Sequence, residues 1–259
     1  MAISGRLRKT PSEKEWDALC RQEQHFLNRR KTKKESSLNR MLAEKVPEKL
    51  QHTLDVAFEK AFFLVFEKGT NVIEKTYNKE SLKKEYDVNV YADEIQSTRK
   101  SLRAFSKNAR KSGNTNLLLS GVSGVGMGLL GIGLPDIPVF TGMILKCVYE
   151  TALHYGFDYE SEAERYFILL LIEGAVSYGE HLEIINEKIE HYSSAPGLPE
   201  GYSTAEQITQ TSRALSKELL YMKFLQGIPL VGVVGGAYDA VYMRQISQYA
   251  KVKYQKRFL

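Results

Sequence analysis

Cysteine is scarce in this chain of 259 residues: Cys20 and Cys147 stand far apart, and neither belongs to a Cys-x-x-Cys pair. That spacing excludes a disulfide framework and removes the usual thiolate signature of structural zinc or redox exchange, so both are expected to be reduced, buried or half-buried residues of a cytoplasmic protein. The first residues, MAISGRLRKTPSEKEW, turn polar where a secretory signal would hold its apolar core, and no such signal is expected. Alternation of apolar and polar residues is also missing, and Val88 to Tyr91 is too short to build a sheet. The five histidines fall into no HExxH or paired ExxH spacing, so no metal and no cofactor is expected.

Charge of one sign is not in large excess either. Thirty-six Lys and Arg against 31 Asp and Glu leave a net charge of +5, part of it from the run Arg29, Arg30, Lys31, Lys33 and Lys34. Such a run suits a solvated helix end or an anionic partner. Without a nucleic-acid-binding motif, nucleic acid is not expected among the partners. A hydrophobic content of 43% with 26% charged residues is enough to bury one sizeable core.

What is present is helical punctuation. Ser12 with Glu15 reads as a capping box opening a helix with Trp16, Leu19, Cys20, Phe26 and Leu27 near one face. A short helix follows around Leu38 to Lys45. Pro47 opens a third that Gly69 closes, and a fourth runs from about Ala92 to Arg110. Past Pro138, an apolar helix runs from Val139 to about His154. A long helix is predicted from about Ala163 to Tyr192; Ser203 and Glu206 form a second capping box for a helix reaching Gly227. The last helix begins near Pro229 and ends in a basic, tyrosine-rich face.

The stretch Ser112 to Pro135 carries no charge and is crowded with Gly121, Gly124, Gly126, Gly128, Gly131 and Gly133. Three readings compete for it. Gly126 to Gly131 satisfies GxGxxG in letters, but the dinucleotide fingerprint needs a preceding strand to aim helix amides at a pyrophosphate, and none precedes it. Ser120, Gly124 and Gly128 share one helix face, and Gly232 and Gly236 repeat the spacing, so close helix packing or membrane contact is the second reading. A buried central helix in a bundle is the third. Against full spanning stand Asp136 at the hinge and Lys146 and Glu150 on the second arm.

Three carboxylates are candidate buried polar residues. Asp136, between Pro135 and Ile137, suits a helix cap. Glu173 interrupts ILLLIEGAV and, if buried, needs a partner such as Arg165 or a residue of the glycine-bearing helices. Asp239 interrupts the last apolar run in the same way. His154, Tyr155, Asp158, Glu162, Glu164 and Arg165 gather around one turn, where Glu162 and Glu164 suit a helix's first turn.

The glycine-rich run, followed by GLPDIPVFTGMILKCVYETALHYGFD, EAERYFILLLIEGA, IPLVGVVGGAYDAVYM and a basic tail, resembles the bacterial EcsC protein family from about Val46 (VPEKLQHTLDVAFEKAF) to Leu259. The family is named for a gene beside those of an ABC transporter, so the resemblance implies a link to membrane transport or secretion; it brings no catalytic motif. Taken together, the expectation is one all-α bundle of about eight helices with two glycine-rich apolar helices at its centre. A charged helical extension occupies 1–45 and the main domain 46–259. The expected function is non-enzymatic association with the cytoplasmic membrane face or a membrane complex, with Ser120, Gly124, Gly128, Gly232 and Gly236 as packing or contact residues. A hydrolase-like site near Asp136, His154 and Glu173 is the alternative, and a soluble scaffold a third; the sequence identifies no small-molecule ligand.

Overall fold

Helix-forming sequence without strand alternation leads to helices alone among the described residues. A computed structural model of the chain describes residues 9–32, 48–66, 78–95, 136–225 and 236–259. Eight helices lie in them: α1 Pro11–Asn28, α2 Glu48–Leu64, α3 Lys79–Ile95, α4 Asp136–His154, α5 Glu162–Val176, α6 Gly179–Ser194, α7 Thr204–Leu225 and α8 Gly236–Phe258. Five of them close a ring of neighbours, α2 on α4, α4 on α8, α8 on α5, α5 on α7 and α7 back on α2. α1 lies outside on α8, α3 on α4 and α6 on α5. The all-α bundle expected from the sequence is the observed fold.

Local chemistry sets most helix starts. α1 opens with a capping box of Thr10 and Glu13 and with Pro11 in its first turn, two residues before the Ser12–Glu15 pair that the sequence suggested. Glu15 is instead buried, and so are Leu19, Glu23 and Arg30, spaced so that they share a face. Trp16, expected inside, is 41% exposed. α4 starts at Asp136, three residues ahead of the expected Val139, because Pro138 fits a first turn where its missing N–H is no loss. Ser203 accepts the Glu206 amide at 3.3 Å, as a cap for α7 should.

Two helix assignments change. α3 was not expected, and Val88 to Tyr91 belong to it; its signal is Asn78, whose side chain accepts the Ser81 amide at 2.8 Å as an N-cap. The expected helix from Ala163 to Tyr192 is two helices, broken at Ser177 and Tyr178. Gly179 takes a left-handed φ of +57°, and its N–H donates to the Arg30 carbonyl at 2.9 Å. The Arg30 guanidinium donates to the Ser177 carbonyl at 3.0 Å and lies between the Phe26 and Tyr178 rings, 4.8 Å and 4.6 Å from their centroids. This arginine, expected on a solvated helix end, thus pins the break, and its stacking and hydrogen bonds offset its desolvation.

The core is centred on α5, where Phe167 through Ile172 are wholly buried. At about 1.5–3 kcal/mol for each large apolar side chain buried, this helix is a major source of stability. Gly174 lets α8 approach: a Cβ there would stand 3.0 Å from the Tyr249 ring and 3.2 Å from Ile185.

Gly156 supplies the turn after α4 with a φ of +79°, and a Cβ there would fall 2.3 Å from the Tyr86 ring of α3. Gly156→Ala is expected to cost roughly 2 kcal/mol, from left-handed strain and from displacing Tyr86. Urea melts would read the loss, and amide exchange should show it spreading to residues 79–95 but not to α5.

Candidate functional site

Charged and polar groups drawn into this core define three clusters. The first surrounds the end of α8, expected to be a basic edge with tyrosines packed inward. Tyr249 and Tyr254 do turn inward, but Lys253 is 1% exposed as well. Its ammonium pairs with Glu23 of α1 and with Glu190 of α6, at 2.5 Å for the latter, and also donates to Asn186 at 2.5 Å. Lys256 bridges the same carboxylates, 2.6 Å from Glu23 and 3.1 Å from Glu190. Burial would raise the Glu190 carboxyl, but Lys253 and Lys256 beside it hold it down to about 2. One turn on, Arg257 sits 4.0 Å from the Phe157 ring centroid and 4.7 Å from that of Phe167. It donates to Glu164 at 2.9 Å, and Tyr254 donates to the same carboxylate oxygen at 2.8 Å. Burial and the adjacent Glu164 carboxylate push the Tyr192 phenol up to about 12. These groups satisfy one another, which is what buried charge requires.

The second cluster is built on Glu173, the apolar-run carboxylate that the sequence singled out. It is fully buried, and its partners are His181 of α6, sharing a hydrogen bond at 2.9 Å, and Gln207 of α7, donating at 2.7 Å. Arg165, the partner expected, instead lies 5.6 Å from the Phe66 ring centroid. Burial raises the Glu173 carboxyl, while His181, Gln207 and Lys188 act against that rise. The His181 side chain is 56% exposed, so the buried carboxyl is one hydrogen bond from water.

The third cluster is the polar seam between α2 and α7, where Ser216 donates to Asp55 and accepts from Gln51 at 2.7 Å. Neither sequence pattern nor composition pointed to it.

The remaining candidates do not assemble into a cleft with Glu173. Asp136 opens α4 and His154 ends it, so the two stand about 27 Å apart at 1.5 Å per residue. His154 is buried, and burial pulls its imidazole down to about 4, leaving it neutral near pH 7. Gly236 opens α8 and Asp239 lies in its first turn. Ser120, Gly124, Gly128 and Gly232, together with the side chains of Asp136 and Asp239, lie outside the described residues. Among the described residues no three His, Cys, Asp or Glu side chains gather as a metal site. No described helix is long and apolar enough to cross a membrane.

The course of α4 and α8 is the feature with most bearing on function. Their last turns meet where the Tyr155 hydroxyl donates to Gln255 at 3.3 Å. At the other extreme Phe140 of α4 packs edge-on against Phe58 of α2, at 6.5 Å between centroids. One turn before Phe58, Asp55 accepts from Ser216 of α7, and two residues on, the Glu218 carbonyl accepts from Tyr242 of α8 at 2.9 Å. α4 and α8 therefore run side by side in the same direction, and the chain enters both at one end of the bundle, its head.

The EcsC protein family model matches residues 13–259. The chain belongs to the EcsC protein family. The match takes in α1, whose residues the resemblance drawn from motifs had left aside; in this family member α1 is tied to α8 through Glu23. The chain is also similar to Protein EcsC of Bacillus subtilis (strain 168), at 24% identity over 221 residues, covering 83% of this chain and 82% of that one. No solved structure matches it.

Two outcomes follow from the clusters. Glu23→Ala should cost about 3 kcal/mol, since Lys253 and Lys256 would keep Glu190 as their only carboxylate; limited proteolysis should then cut between α1 and α2 sooner. For Glu173, a raised folded value gives stability that is complete below the ordinary carboxylate range and is lost as pH rises through the folded value. Glu173→Gln should therefore gain stability relative to the parent as pH rises above the ordinary carboxylate value of 4.5. A difference in unfolding free energy that stays constant over that rise contradicts the raised value.

Proposed function

We propose that this protein is a non-enzymatic helical module that docks on the cytoplasmic face of the membrane, or on a complex held there, by the head of its bundle. The carrying observation is the parallel course of α4 and α8. Each is preceded in sequence by an uncharged, glycine-bearing stretch, 112–135 before α4 and 226–235 before α8. Because both helices start at the head, two apolar stretches join the bundle at one end, and apolar sequence concentrated at one end of a charged domain suits contact with lipid or with membrane helices. Ser120, Gly124, Gly128, Gly232 and Gly236 are the contact residues in this reading, small enough for a backbone to approach closely.

The buried charges favour binding over catalysis. Glu164 and Glu190 are engaged by Arg257 and by Lys253 with Lys256, and Asp136 and His154 stand at opposite ends of α4. Family membership supports the reading through the membrane-transport link that the EcsC name carries.

Fractionating cells and washing the membranes first with high salt and then with carbonate tests it. Recovery with the membranes, and release by one of the two washes or resistance to both, is the expected result. Recovery wholly in the soluble fraction overturns the proposal. Replacing Gly124 and Gly128 together by Asp is expected to lower the membrane-bound share severalfold, because a charge there weakens both lipid contact and close helix packing, without altering the helical circular dichroism.

A further inference from the structure

At the head, exposed cations stand on α2, α7 and α8. Lys49 on α2, Arg213 and Lys217 on α7 and Arg244 on α8 are exposed, and none makes an ion pair among the described residues. Short helical steps place all four at the head. Lys217 lies between Ser216, which bonds Asp55 and Gln51 of α2, and Glu218, whose carbonyl takes the Tyr242 hydroxyl of α8. Lys49 is two residues before Gln51, Arg213 is one turn before Lys217, and Arg244 is two residues past Tyr242. Val241, 47% exposed, adds an apolar side chain beside them. Glu48 is the exposed carboxylate next to Lys49; Glu180, in the first turn of α6, is exposed at the same end, and Glu183 and Glu187 are exposed farther along α6.

We infer that this collar of Lys49, Arg213, Lys217 and Arg244 binds the headgroups of anionic phospholipids, and that it sets which end of the bundle meets the membrane. The inference rests on the docking reading above and names its partner. Unpaired cations beside apolar sequence are the combination that anionic bilayers hold, since the apolar part enters the interface and the cations remain among phosphates. The acidic outer face of α6 is repelled by the same surface, so the protein approaches with α2, α7 and α8 toward the lipid. Phosphate on a soluble ligand would offer the same charge, but four cations spread over three helices match an extended surface better than a single anion.

Vesicle co-sedimentation of the full chain is the test, comparing phosphatidylcholine alone with phosphatidylcholine mixed with phosphatidylglycerol. Binding to the mixed vesicles that weakens with added salt is expected. Each basic side chain near an anionic surface strengthens binding about fivefold, so K49E/R213E/K217E/R244E should lose on the order of a hundredfold or more. A control with the same net charge, K14E/R21E/K84E/K188E, changes exposed cations elsewhere and should keep most of the binding. Unchanged circular dichroism and melting temperature would show that both variants fold. Equal binding to both vesicle types, or equal loss in the two variants, overturns the collar while leaving docking intact. Binding to neither vesicle, with recovery only in the soluble fraction of cells, overturns the docking reading itself. Direct binding of inorganic phosphate that K49E/R213E/K217E/R244E abolishes, with no vesicle binding, would assign the cations to a soluble anion and overturn the collar.

Discussion

The burial of α5 from Tyr166 to Val176 constrains everything packed around it. A helix whose apolar residues are covered on every side can be held only if each polar group it carries finds a partner inside the protein, because an unpaired carboxylate in such surroundings is costly. α5 carries two deep carboxylates, Glu164 near its start and Glu173 near its end. α8 supplies Arg257 and Tyr254 to the first, and α6 and α7 supply His181 and Gln207 to the second. The neighbours of α5 are thus specified by polar demand as well as by apolar area.

The same economy explains the unusual tail of α8. A surface helix would turn its lysines to water, yet Lys253 is buried, because α1 and α6 bring Glu23 and Glu190 to meet it. Such a pair adds little net free energy over apolar packing, but losing either side leaves an uncompensated charge. It therefore fixes where α1 can sit. Arg30, at the end of α1, makes a second fixed point at the α5–α6 break through the Ser177 carbonyl, the Gly179 N–H and two rings. Together they make α1 an integral element, in keeping with a family match that begins at residue 13.

Viewed along the bundle, charge is sorted. The buried ion pairs of Lys253, Lys256 and Arg257 lie toward the foot, where α8 ends; Lys49, Arg213, Lys217 and Arg244 are exposed at the head, where α4 and α8 begin. Among the described residues, His154 and Glu190 are perturbed toward the foot and Glu173 near the far end of α5.

Several features were legible before any fold was known. The lack of strand alternation fixed the helical class, cap residues such as Ser203 marked helix starts, and the intrusion of Glu173 into an apolar run marked a buried carboxylate. These are local signals, carried by residues within a turn or two of one another. Others depended on residues far apart in the chain. The break at Ser177 and Tyr178 was hidden because apolar periodicity continues through Leu182, Ile185 and Ile189, and what stabilises it is Arg30, nearly 150 residues earlier. Likewise Lys253 reads as a solvated lysine until folding delivers Glu23 and Glu190. The sequence by itself determined the helical class and which positions are apolar; only tertiary structure decided which charges are buried, since a charge can be buried only where a distant residue arrives to neutralise it.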